Sequence, residues 1–69
     1  MNKESLEFAV CLIHEIADTW NTSPSYVYNL LKTSGCLHDY LIRHFDVLHT
    51  MGSKELIADV EEYLAVRGY

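Results

Sequence analysis

Positive charge is scarce in this chain, and so are proline, glycine and cysteine. Of 69 residues, one is proline, three are glycine and two are cysteine. No repeat, linker or low-complexity tract is present. Two thiols, Cys11 and Cys36, cannot make the disulfide framework that staples small secreted domains, so both are expected reduced, in a cytoplasmic protein. The longest unbroken apolar run, Phe8 to Ile13, is far short of the ~20 residues that span a bilayer, so no membrane partner is expected. The opening stretch from Met1 to Glu7 carries acids where a signal peptide needs a basic region followed by an apolar one. No period-2 run of β-branched residues appears, so no strand is expected.

Ten acids face five bases, for a formal charge of −5. The bases, Lys3, Lys32, Arg43, Lys54 and Arg67, are spread singly with no cluster. A nucleic-acid surface needs several phosphate contacts, because its affinity comes largely from displaced counterions. One base per helix is poor material for that, and nucleic acid is not an expected partner. An acidic surface suits a basic protein partner, or solubility alone.

Apolar residues make up 49% of the chain, ample for one core. Residues 1–69 read as a single domain. Folding must offset about 1.5 kcal/mol of conformational entropy per ordered residue, with no disulfide or metal cluster to help. Self-association, as a homo-oligomer, is therefore one expected source of stability.

The pattern predicts a first helix from Lys3 to Trp20. Leu6, Ala9, Val10, Leu12, Ile13, Ile16, Ala17 and Trp20 share one broad face, while Glu4, Glu7, Cys11, His14, Glu15 and Asp18 take the other. Asn2 is placed to cap its start. Asn21 and Thr22 break the pattern. Ser23 then reads as an N-cap and Pro24 as the first helical residue, where a missing N–H costs nothing. Val27, Leu30 and Leu31 form the buried stripe of this second helix, Tyr26 and Tyr28 flank it, and Gly35 stops it. From Cys36 to Thr50, Leu37, Tyr40, Leu41, Phe45, Val47 and Leu48 suggest one interrupted helix or two short ones. Thr50 to Ser53 reads as a turn with Ser53 as a cap. The last helix runs from Lys54 to Val66, with Leu56, Ile57, Val60, Tyr63 and Leu64 inward, Glu55, Asp59, Glu61 and Glu62 outward, and Gly68 beyond its end. The expected fold is all-α, a small bundle of four to five helices, helix-turn-helix-like in its first half.

Four constellations bear on function. A helix-turn-helix would lay Pro24 to Thr33 in the major groove and present Ser25, Tyr28, Asn29 and Lys32 to bases. The charge count favours an ordinary solvated face instead. Asp46 and His49 stand three apart, where a hydrogen bond could orient a general base. No nucleophile elbow or phosphate loop accompanies them, so the pair reads as structural and no enzyme is expected. Cys11 with His14, and Cys36 with His38, lack the ligand spacing of a zinc site, so neither metal nor cofactor is expected. The tyrosines Tyr26, Tyr28, Tyr40, Tyr63 and Tyr69 suit half-exposed positions or interface anchors, with Tyr28 and Tyr69 expected at the surface.

The run Ser5-Leu6-Glu7-Phe8-Ala9-Val10, then Ile16-Ala17, Val27-Tyr28-Asn29-Leu30-Leu31-Lys32, Asp39-Tyr40 and Asp46-Val47-Leu48-His49-Thr50-Met51-Gly52, resembles a bacterial small-protein family catalogued as domain of unknown function 3791. Phe45 stands where the resemblance leads one to expect tyrosine, which argues against an essential hydroxyl there. The resemblance implies a small, cytosolic, non-enzymatic protein. It also implies neighbouring genes for an ADP-ribosyltransferase-like protein, and hence a regulator or antitoxin.

The expected function is a non-catalytic protein-protein interaction or regulatory module. Its candidate surface is the acidic stripe Glu4, Glu7, Glu15 and Asp18, or the turn carrying Asp46, His49 and Thr50. A helix-turn-helix DNA-binding protein is the alternative.

Overall fold

The computed structural model describes residues 3–69 and is all-α. Its elements are α1 (Lys3–Trp20), α2 (Pro24–Ser34), a π-helix (Cys36–Ile42), α3 (Phe45–Leu48) and α4 (Ser53–Val66). Local chemistry sets most of the boundaries. Asn21 takes the left-handed conformation, φ 55°. This lets Thr22 N–H reach the Ala17 carbonyl at 2.9 Å and Asn21 N–H reach Asp18 at 3.3 Å, which closes the carbonyl end of α1. Ser23 Oγ accepts from Tyr26 N–H at 3.2 Å with Pro24 at the first helical position, so α2 starts as its sequence predicts. Gly35, at φ 87°, ends α2. The expected Asn2 cap lies outside the described residues.

The segment after Gly35 is two helices, and the first is wound more widely than expected. In an α-helix, residues five apart point about 140° away from each other. The π-helix closes its ring one residue later and brings such pairs onto one side. Cys36 and Leu41 are thereby both fully buried.

One core unites all five elements. Ile16, Val27, Leu31, Cys36, Leu41 and Val60 are fully enclosed at its centre. Two contacts tie the ends of α1 to other elements. The Trp20 indole N–H donates to the Glu61 carboxylate of α4 at 2.8 Å. The Phe8 ring meets Phe45 of α3 edge-on, centroids 5.4 Å apart.

Several faces differ from their sequence expectation. Leu6 and Val10 were placed in the core face of α1 and are 50% and 45% exposed, while Ser5 is buried and Phe8 half-buried. The buried side chains of α1 are Ser5, Ala9, Leu12, Ile13, Ile16 and Ala17, and Leu6 and Val10 are left beside this set rather than in it. Val47 is 66% exposed, since α3 is one turn long and Leu48 alone fills its inward position. Gly52, not Ser53, precedes α4, and its carbonyl accepts Leu56 N–H at 3.0 Å. Ser53 is inside the helix and caps nothing. Asp59 is half-buried, because its carboxylate accepts a bond from Tyr40. Among the described residues no helix is long and apolar enough to cross a membrane.

Candidate protein-interaction site

Leu6 and Val10 of α1 face α2 and the π-helix across a groove. At the α2 end the groove is a recess of about 460 Å³ walled by Val10, Ile13 and His14 of α1 and by Pro24, Ser25, Tyr28 and Asn29 of α2. Toward the π-helix it continues as an apolar pocket of about 140 Å³, where Leu6, Val10 and Tyr28 meet Leu37, His38 and Ile42. Val10, Ile13 and Tyr28 belong to both, so the two are one continuous depression. The wide winding of the π-helix puts Leu37 and Ile42, again five apart, on the groove side together.

The four residues placed on a DNA-facing surface have a different setting. Ser25, Tyr28 and Asn29 line the groove and face α1. Lys32 is exposed with its Nζ 5.9 Å from the Tyr28 ring centroid, an amine resting on an aromatic face. Lys3 pairs with Glu7 on α1 at 3.9 Å, and Arg67 lies 4.2 Å over the Tyr63 ring on α4.

The acidic stripe and the Asp46 turn, proposed from sequence as alternatives, meet. Glu15 and Cys11 of α1 line a recess of about 190 Å³ with His49, Met51 and Ser53. Glu4, Glu7 and Asp18 are exposed along the same helix. The expected bond between Asp46 and His49 does not form. His49 Nδ1 lies 2.8 Å from the Phe45 carbonyl oxygen, and its ring stacks on Phe45 with centroids 4.7 Å apart. Asp46 is exposed, and Thr50 Oγ1 donates to the Val47 carbonyl at 2.8 Å. This corner is a helix end tied to its own backbone, not a relay that orients a base.

A second cleft, unmarked by any sequence motif, lies between the π-helix and α4. It holds about 380 Å³ and is lined by Tyr40, Asp59, Glu62, Tyr63, Val66 and Arg67. The Tyr40 and Tyr63 rings stack with centroids 5.4 Å apart, and Tyr40 Oη donates to Asp59 at 3.4 Å. Partial burial raises the Tyr40 pKa above its usual 10, and the neighbouring Asp59 charge pushes it the same way. The spacing of Asp59, Tyr63 and Arg67, each four apart, was the one signal that could have marked this face. Deeper in, burial pushes the Cys36 thiol up to about 12, against the opposing pull of the Arg67 charge. Among the described residues no three His, Cys, Asp or Glu side chains gather as a metal-holding group.

The family model described as protein of unknown function (DUF3791) matches residues 7–67. No curated protein and no solved structure matches the chain.

Proposed function

The chain belongs to the DUF3791 family, proteins of unknown function, and we propose that it is a non-catalytic protein-interaction module with a regulatory role. One observation carries this reading: Leu6, Val10 and Tyr28, large and apolar, are roughly half exposed around a single groove. Exposed apolar side chains that cluster mark a docking surface more often than isolated ones do.

The occupant we assign is an amphipathic helix of another protein, apolar on one stripe and basic at its margins. A helix fits a groove walled by helices, and its anchors at turn spacing would fill the line from Leu6 to Pro24. Basic margins follow from charge. The chain carries −5, and Glu7 and Asp18 stand exposed on the helix that forms the groove wall. Two copies of the chain would bring those acids together.

Val10→Glu tests the proposal. The site is exposed and helical, so the fold is retained, as circular dichroism would verify. Wild type is expected to retain a specific protein from native extract that the variant releases. Equal recovery by both chains refutes the groove. A concentration-dependent dimer in sedimentation, lost in Val10→Glu, replaces the foreign helix with a second copy.

A further inference from the structure

We infer that the cleft between the π-helix and α4 is a receptor for a guanidinium group, and that it takes an arginine side chain from a partner protein. The inference rests on the interaction-module reading for the source of the arginine, and its chemistry stands apart from the groove. The cleft offers what a guanidinium binds. The Tyr40 and Tyr63 rings supply aromatic faces, and Asp59 and Glu62 supply carboxylates beside them. A planar, weakly hydrated cation stacks on such a ring while its N–H fork reaches the carboxylates.

The chain already demonstrates half of this. Arg67 places its guanidinium carbon 4.2 Å from the Tyr63 ring centroid. It does not reach the carboxylates, for Lys3–Glu7 is the one ion pair among the described residues. The cause is connectivity. Arg67 follows Tyr63 by one helical turn on the same helix, so its side chain is laid over the ring and its fork is not turned to both acids. Among the described residues Asp59 therefore has only the Tyr40 hydroxyl as a partner, at 3.4 Å, and Glu62 is exposed without a cation. An arginine arriving from solvent is free of that constraint. It displaces Arg67 from the ring and takes the carboxylates as well. Arg67 is thus a resident competitor that sets the affinity of the site.

The test uses N-acetyl-arginine amide as the probe, read by chemical-shift changes in the Tyr40 and Tyr63 rings of the full chain. Saturable binding in the millimolar range is expected, with the lysine analogue weaker. Arg67→Ala removes the competitor and is expected to tighten binding at least threefold. Glu62→Gln, an exposed change that leaves the fold intact, is expected to weaken it at least threefold, as is Asp59→Asn. The groove variant Val10→Glu binds the probe like wild type, which separates this site from the groove. Binding that is unchanged or weaker in Arg67→Ala, or equal in Glu62→Gln and wild type, overturns the inference.

Discussion

The two cysteines give a direct reading of the core, because one lies outside it and the other is enclosed within it. Cys11 is exposed on α1, and Cys36 is fully enclosed at the start of the π-helix. Burial lifts the Cys36 thiol from 9.0 to about 12. A shift of three units leaves about a thousandfold less thiolate at neutral pH than the unfolded chain has, and thiolate is the reacting form. Access lowers the rate further. A domain of this size is stable by about 3–10 kcal/mol, so at ~5 kcal/mol roughly one molecule in several thousand is open. Titration with a chromogenic disulfide at pH 8 is expected to release one equivalent at once and the second only slowly. In urea both should react together. Two fast equivalents in buffer would refute the enclosed π-helix start.

The same thiol fixes a sign for stability against pH. Its folded pKa lies above its unfolded value, so between pH 9 and 12 the unfolded chain has lost the proton that the folded chain keeps. The unfolded state then binds fewer protons, and stability falls as pH rises. By pH 10.5 the loss is about 2 kcal/mol, at about 1.4 kcal/mol per unit. Tyr40, also raised, adds to the fall above pH 10. Urea midpoints of wild type should decline between pH 9 and 10, and those of Cys36→Ala should decline less. Equal slopes would show that the thiol is not responsible.

Three further substitutions test the frame. Gly35→Ala forces a side chain into φ 87°, and its Cβ would meet Asp39 Oδ2 at 3.1 Å. Asp39 is exposed and can move, so the backbone strain decides the cost, about 1–2 kcal/mol, and thermal melts should show the same loss in an Asp39→Ala background. Leu31→Ala empties a fully buried site at a cost of about 2–5 kcal/mol, comparable with the whole stability, and should leave the chain largely unfolded by circular dichroism at 37 °C. Asn21→Gly relieves the left-handed φ of 55° and is expected to raise the melting midpoint, by about 0.5 kcal/mol in stability.

What the sequence disclosed follows from which signals are local. The span of α1, the Ser23–Pro24 start and the Gly35 stop depend on side chains adjacent to the boundary, and the structure places them as read. The segment from Cys36 to Ile42 was harder because its pairs are five apart, Cys36 with Leu41 and Leu37 with Ile42, a spacing that a period of 3.6 scatters around the wheel. The orientation of α1 was read too generously. Eight apolar residues cover an arc of roughly 160°, and only the packing partners decide which of them are buried. Asp46 and His49 had the right spacing for a bond, but the imidazole found a backbone carbonyl in its own turn first.

α1 is anchored in the core by Leu12, Ile13, Ile16 and Ala17, and Leu6 and Val10 lie outside that set. Burying either side chain is worth about 1.5–3 kcal/mol, and as folded the chain leaves about half of each in water. In a domain whose total stability is of the same order as a few such side chains, that exposure forgoes a large stabilisation. Tyr28 extends the apolar surface from the facing helix, and the π-helix is wound so that Leu37 and Ile42 form its floor. Three elements thus converge on one depression. A partner filling the groove would recover that stabilisation, which is the physical argument behind the proposed interaction role.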